Sequence, residues 1–287
     1  MPELPEVETL KNGLKTVLIG QKLASVQINK PKMWRGLSSD QLVNQTIQSI
    51  DRLAKMLVIN WSNNLTLIVH LKMTGQLIFV DKAGEEIAGG HPDDQFVAKQ
   101  PSKYTHIIFD FLSGDHLYFN DMRQFGYAHL IASDQLEQEH QQIANIGVDP
   151  FVADFTPEYL FKHFQDKPKT SVKQVIMDQS VVAGIGNIYA DESLFEAKIA
   201  PTRPAKSITE VESTKLHQAI INILKLGINL GGTSYKDYVH HDGKKGTMQD
   251  HLKVYRRGGL PCVECGGKIS RITIGGRGTH FCPHCQK

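Results

Sequence analysis

The sequence predicts an α+β multidomain protein: an N-terminal helix with an antiparallel β-sandwich, then a helical domain, then a small C-terminal β-hairpin that carries cysteines. Three observations predict it. The chain has 287 residues, about two domains with a small appendage. Apolar residues recur in short strand-like runs over 20–131 and at helical spacing over 156–229. All four cysteines lie in the last 26 residues, which excludes a disulfide-dense scaffold and places something local at the C-terminus.

Residues 6–19 read as a helix, because Val7, Leu10, Leu14, Val17 and Leu18 share one face. Pro5 suits a first helical turn, and Glu6 and Glu8 favour its positive end. The runs Leu23–Ile28, Met56–Trp61, Thr66–Leu71, Gln76–Val80, His106–Phe111 and His116–Phe119 read as strands. Turn clusters at Asn63-Asn64, Ala83-Gly84 and Ser113-Gly114-Asp115 separate them. Residues 85–102, rich in Gly, Pro and Asp, read as a loop. A polar stretch over 132–152 ends in Gly147-Val-Asp-Pro150 and reads as a linker. Helices are expected over 157–165, 170–179, 187–197 and 208–228, followed by an exposed loop and a short run over 233–256. The expected division is 1–131 for the sandwich, 132–152 for the linker, 153–256 for the helical domain and 257–287 for the hairpin.

Cys262, Cys265, Cys282 and Cys285 form C-x2-C-x16-C-x2-C. Two close pairs of thiolates suit one structural Zn2+ with four sulfur ligands. Two disulfides or four free thiols are the competing readings, and a cytosolic setting disfavours the first. Between the pairs, Lys268–Ile274 is β-branched, Gly275-Gly276 offers a turn, and Thr279–Phe281 can return as a second strand.

The formal charge of the whole chain is only +2. It is unevenly spread: Lys236–Lys287 holds ten Lys/Arg against four Asp/Glu, a local +6, which leaves −4 for the remainder. A basic segment with a metal-bound hairpin fits a nucleic-acid footprint, against the plainer reading of a solvated knuckle. No apolar run approaches the roughly 18–20 residues that span a bilayer. The first ten residues carry three Glu and no base, unlike a targeting segment. The expectation is a cytosolic monomer without a membrane partner.

Pro2 follows Met1, and a small second residue permits removal of the initiator. The exposed amine would have a reference pKa of about 7.7–8.0, and the helix start behind it disfavours its charged form. A secondary amine that attacks an aldehyde-level carbon forms an iminium, an electron sink for elimination. Glu3 and Glu6 are close enough in sequence for one to move protons. The plain alternative is an ordinary Met-Pro start with capping glutamates.

Three segments together resemble the bacterial formamidopyrimidine-DNA glycosylases, over essentially the whole chain. They are Pro2-Glu-Leu-Pro-Glu-Val-Glu-Thr9, Ala183-Gly-Ile-Gly-Asn-Ile-Tyr-Ala-Asp-Glu192 and Gly276-Arg-Gly-Thr-His-Phe-Cys-Pro-His-Cys285. The resemblance implies a helix–two-turn–helix module over the helical domain and a zinc finger at the end. It also implies a bifunctional glycosylase and AP lyase of base-excision repair, acting on oxidised purines such as 8-oxoguanine and formamidopyrimidines in damaged double-stranded DNA.

By the same resemblance Pro2 is the nucleophile, Glu3 the proton-transfer carboxylate, and Glu6 an acidic residue of the same site. Lys55, Asn187 and Arg277 grip phosphate near the lesion. Met73, Arg123 and Phe125 match the side chains that fill the gap left by a flipped base. Taken singly, each has a plainer reading. Lys55 fits a polar strand face, Met73 and Phe125 fit core packing, Asn187 fits an ordinary helix–helix turn, and Arg277 fits a solvated hairpin tip. The segment Gly231–Tyr238 resembles the loop that closes over the lesion, with Lys236 where the family often has Arg. The nearest rival is the sibling endonuclease VIII-type enzyme for oxidised pyrimidines, although Leu4, Met73 and Phe125 fit the purine branch better. A non-catalytic zinc-bearing DNA-binding protein is the rival of a different class.

Overall fold

The computed structural model describes residues 1–90, 100–137, 146–233 and 246–287. Contacts divide the chain into two compact units, Met1–His140 with Gly227–Gln249, and Gln141–Leu226 with Asp250–Lys287.

The first unit opens with helix α1, Leu4–Leu18, which has Pro5 in its first turn. The apolar stripe of Leu4, Val7, Leu10, Leu14 and Leu18 is almost fully buried, as its spacing requires. Two five-stranded sheets follow. One runs β1 (Leu23–Ile28), β8 (Thr105–Phe111), β9 (His116–Asp121), β6 (Gly75–Val80), β7 (Glu86–Gly90). The other runs β2 (Trp34–Gly36), β10 (Tyr127–Ala132), β5 (Leu65–His70), β4 (Met56–Trp61), β3 (Ile47–Leu53). Their facing side chains, among them Leu57, Trp61, Leu67, Phe79, Phe109 and Phe119, share one core with the stripe of α1. That is a sandwich closed by a helix.

Two features depart from expectation. Residues 86–90, part of the loop expected over 85–102, form an edge strand, paired from Val80↔Glu86 to Gln76↔Gly90. Ala and Gly give this strand little intrinsic β preference. A tight turn sets it instead: Asp81 Oδ1 accepts from the backbone N–H groups of Ala83 and Glu85, both at 2.8 Å. Ile87 then packs toward Gly13 of α1, where an added Cβ would lie 3.5 Å from Ile87 Cγ2. The second departure is that β2 pairs in parallel with β10, while the other named pairs are antiparallel.

The second unit holds α2 (Pro157–Asp166), α3 (Val172–Met177) and α4 (Asn187–Glu196). It also holds most of α5 (Glu210–Asn229) and the hairpin β11 (Ser270–Ile274) with β12 (Arg277–Phe281). Thr156 and Ser171 cap α2 and α3 through their hydroxyls. Phe195 of α4 shares a small core with Val254, Cys262, Ile269 and Cys282, so the helix seats the hairpin. In the stretch expected to hold an exposed loop and then a short run over 233–256, Met248, Leu252 and Val254 are buried. Among the described residues, no helix is long and apolar enough to cross a membrane.

Candidate active site and metal centre

Pro2, Glu3 and Glu6 are all buried at the foot of α1. Glu3 is the N-cap and forms a reciprocal capping box with Glu6. Glu6 has both oxygens engaged. Oε2 accepts from the Glu3 N–H at 2.8 Å, and Oε1 accepts from Thr233 N and Oγ1 at 2.8 and 3.0 Å. Its carboxylate therefore ties the backbone of Glu3 to that of Thr233, which suits a positioning group better than a proton carrier. Lys236 and the rest of the Gly231–Tyr238 loop beyond Thr233, with His240 and His241, lie outside the described residues.

Lys55 sits in the two-residue turn between β3 and β4, closed by the pair Leu53↔Met56, and not in a strand as its neighbours suggested. It is 7% exposed. The turn forces Ala54 to φ 52°. Arg52 braces it by donating to Ala54 O at 3.1 Å and to Glu8 Oε2 of α1 at 2.7 Å. Burial works to raise the Glu8 carboxyl, but hydrogen bonds from Lys11 and Arg52 outweigh it and hold the group below the usual range. At the end of β5, His70 Nδ1 accepts from the Lys72 N–H at 3.0 Å. Burial, then the charges of Lys72, Lys55 and Arg35, lower the His70 pKa to about 3. The imidazole is therefore neutral, with its proton on Nε2.

Met73, Arg123 and Phe125 come from two turns and meet at the surface. Met73 and Phe125 are 38% and 52% exposed, which excludes core packing. Arg123 Nη1 donates to Met73 Sδ at 3.0 Å, and its guanidinium lies 4.7 Å over the Phe125 ring. Asp121, fully buried, holds the arrangement and has no assigned role in the sequence reading. It accepts from the N–H groups of Arg123 and Gly126 at 3.1 and 2.7 Å and from Thr74 Oγ1. Only glycine fits at 126, where a Cβ would come within 2.8 Å of Phe119 Cζ.

In the second unit Asn187 is the first residue of α4, with Gly186 as its N-cap. Its Nδ2 donates to Gly278 O of the hairpin at 2.8 Å, and its Oδ1 accepts from Lys173 Nζ at 2.6 Å. Lys173 is fully buried; it also donates to Thr279 Oγ1 at 2.7 Å and pairs with Asp191 at 2.7 Å. Asp191 Oδ2 accepts from the His280 N–H at 2.8 Å. Glu192 accepts from the N–H groups of Lys253, Val254 and Tyr255 at 2.9, 3.0 and 2.8 Å, although burial pushes its carboxyl pKa up. The sequence reading missed Lys173, Asp191 and Glu192. The available signal was a lysine inside the apolar run Val172–Met177 and two acids on a helix with little polar face.

Gly275 and Gly276, at φ 54° and 73°, make the two-residue turn expected between β11 and β12. Arg277 follows as the first residue of β12, exposed and opposite Ile274. The four cysteine Sγ atoms lie within 4.8 Å of one another. The Cys262–Cys285 and Cys265–Cys282 separations are 3.9 and 3.5 Å. Disulfides need about 2.05 Å. A tetrahedral cation with metal–sulfur bonds of about 2.3 Å puts its ligands about 3.8 Å apart, so this donor set fits a metal. Burial and the neighbouring thiols push Cys285 up to about 12, a cost that a divalent cation among the sulfurs reverses.

Three family models match the chain. The formamidopyrimidine-DNA glycosylase N-terminal domain matches residues 1–128, the formamidopyrimidine-DNA glycosylase H2TH domain 146–239, and a zinc finger found in FPG and IleRS 259–287. Formamidopyrimidine-DNA glycosylases of Desulforamulus reducens and Carboxydothermus hydrogenoformans are 40% and 41% identical. The alignments cover 100% of this chain and 99% and 100% of those proteins. The Lactococcus lactis Fpg bound to DNA with an abasic site superposes with a TM-score of 0.87 at 34% identity, over 99% of both chains. The same enzyme bound to DNA with an oxidised pyrimidine gives 0.86 at 34% identity over 100% of both. A mutant of it with Fapy-dG DNA gives 0.88 at 34%, also over 100% of both. With relatives of about 40% identity along its full length, and family models on its sandwich, its helices and its cysteine hairpin, the chain belongs to the formamidopyrimidine-DNA glycosylase family.

Proposed function

We propose that this protein is a bifunctional DNA glycosylase and AP lyase that removes oxidised purines from duplex DNA through the Pro2 amine. The observation that carries the reading is the cluster of Met73, Arg123 and Phe125. Residues 50 apart in sequence form one exposed methionine–guanidinium–aromatic wedge on turns braced by Asp121. Such a wedge has a use when a base has left the stack. Lys55, Asn187 and Arg277 supply phosphate contacts, and the neutral His70 offers a donor beside Lys55.

Once Met1 is removed, the Pro2 nitrogen attacks C1′ of the damaged nucleotide. The C1′–base bond breaks, the base leaves with a proton, and the sugar ring opens to an iminium on Pro2. Loss of a C2′ proton then expels the 3′ phosphate, and a second elimination expels the 5′ phosphate. Glu3 moves the protons, and Glu6 holds the backbone of Thr233. The four cysteines would hold Zn2+, and the bound ion would stabilise the hairpin that bears Arg277. The family assignment supports duplex DNA as the partner.

Borohydride trapping on 8-oxoguanine duplex, followed by peptide mapping, tests the mechanism. The expected adduct is on Pro2, and an adduct on a lysine refutes it. Glu3→Gln should bind the duplex but lose excision; wild-type excision removes Glu3 from the reaction. A second substrate reading is favoured by the Lactococcus lactis complex with an oxidised pyrimidine. Matched 8-oxoguanine and thymine-glycol duplexes separate the two, and faster turnover of thymine glycol overturns the purine preference.

A further inference from the structure

The N-terminal ends of α2 and α5 meet in the second unit and leave a groove of about 340 Å³. Pro157, Glu158 and Phe161 of α2 line one side, and Glu210, Val211 and Thr214 of α5 line the other. None of these residues has a part in the mechanism above.

The two sides are fixed to each other. Ser213 Oγ donates to Pro157 O at 2.8 Å. His217 Nε2 donates to Phe155 O at 2.7 Å, and the rings of Phe155 and His217 stack with centroids 4.9 Å apart. The groove is therefore preformed by two packed helices, as binding clefts usually are.

Apolar and acidic side chains share its lining. Val211 is 65% exposed and Phe161 is half-buried, whereas Leu160, Phe164, Leu216 and Ile220 of the same helices are fully buried. Pro157, Phe161 and Val211 thus give one small apolar surface open to solvent, beyond what the helix packing uses. Glu158 and Glu210 are exposed beside it, and no lysine or arginine lines the groove among the described residues.

Helix starts ordinarily favour anions, but these two do not offer their donors. Thr156 Oγ1 accepts from the Tyr159 N–H at 3.1 Å, and Thr209 Oγ1 accepts from the Glu212 N–H at 3.3 Å. Glu212 Oε2 returns the bond to the Thr209 N–H at 2.9 Å. The Glu158 carboxyl is held below its usual range by its own backbone N–H and then by Thr156, so it is charged at neutral pH. Two carboxylates without a lining cation repel phosphate, which excludes DNA as the occupant and selects a cationic one.

We propose that this groove docks a basic peptide segment of a partner protein. One aliphatic side chain would sit on Val211 and Phe161, and flanking lysines or arginines would face Glu158 and Glu210. A site of this size belongs to the weak, transient class of protein contacts. The proposal goes beyond the glycosylase reading and does not rest on it.

Titration of the nitrogen-15-labelled protein with acetyl-Lys-Arg-Leu-Lys-Arg-amide, followed by amide NMR, tests the docking. Saturable shifts centred on residues 157–161 and 210–214 are expected, with a dissociation constant on the order of 0.1 mM. Serine in place of the central leucine should weaken binding about tenfold or more, through the lost apolar burial. Glu210→Gln should weaken it about 2–5-fold, and added salt should weaken it further. Val211→Arg should abolish binding while the melting temperature stays within about 2 °C of the parent, since the position is exposed. Shifts centred elsewhere, no saturation up to about 5 mM peptide, binding that survives Val211→Arg, or equal binding of acetyl-Glu-Glu-Leu-Glu-Glu-amide would each refute the docking site. Borohydride trapping on damaged duplex reads the other question separately: a chain that docks the peptide and forms no DNA adduct keeps the groove and loses the glycosylase mechanism.

Discussion

His70→Asn should flatten the pH dependence of stability of the first unit. Asn Oδ1 can replace Nδ1 as acceptor for the Lys72 N–H, so the variant removes the titration and keeps the bond. In the native protein the His70 pKa is lowered from 6.5 to about 3 by burial and by Lys72, Lys55 and Arg35. Between those values the unfolded chain carries a proton that the folded chain rejects. Stability therefore rises with pH through this window and falls on acidification. At about 1.36 kcal/mol per pH unit, moving from pH 7 to pH 5 costs the native state about 2 kcal/mol through this one side chain, a factor of about 30. The chain has two tryptophans, Trp34 and Trp61, both in the first unit, and Trp61 is 2% exposed. Urea unfolding followed by tryptophan emission therefore reports this unit directly. The stability difference between wild type and variant should shift by about 2 kcal/mol in the variant's favour from pH 7 to pH 5, while carboxylates common to both cancel. Parallel curves, with a difference constant to about 0.5 kcal/mol, would refute the assignment of His70 as a neutral, cation-crowded imidazole.

Lys173→Met leaves Asp191 charged in the interior and should cost about 3–5 kcal/mol; adding Asp191→Leu should recover most of it in thermal unfolding, and no recovery would place the cost elsewhere. Asp121→Ala removes the acceptor for the Arg123 and Gly126 N–H groups, and single-turnover excision should fall about tenfold or more, since misplacing a site by about 1 Å costs up to 10²-fold. Unchanged excision would show that the wedge holds without its brace. Cys282→Ser should lose bound zinc in elemental analysis and weaken DNA binding by disordering the Arg277 hairpin; unchanged affinity with the zinc gone would contradict the link between metal and grip.

Much of the fold is legible because it rests on local periodicity. The stripe of α1, the named strands of the sandwich, the four expected helices from 157 onward and the Gly275-Gly276 turn each declare themselves within one short stretch of chain. The cysteine spacing does the same for the metal centre. What escapes is set by long-range pairing. The edge strand Glu86–Gly90 has almost no strand character of its own and exists because β6 and the Asp81 turn offer it partners. The parallel docking of β2 on β10 leaves no trace in the composition of either. Lys173, Asp191 and Glu192 look like surface charges until the hairpin and the 253–255 segment come to meet them. Lys55 reads as part of a strand because its neighbours are apolar, yet a left-handed alanine places it in a turn. Glu6 shows the limit most plainly: sequence puts a carboxylate near Pro2, and only the fold reveals that both oxygens are already taken.

That occupancy of Glu6 makes two distant events thermodynamically reciprocal. One carboxylate closes the cap of α1 and anchors the peptide of Thr233, so whatever steadies one stabilises the other by the same free energy. Amide hydrogen exchange at Glu3 and at Thr233 should consequently slow together when DNA binds. A substitution that loosens the chain after residue 233 should reach the protein's first residues without touching them.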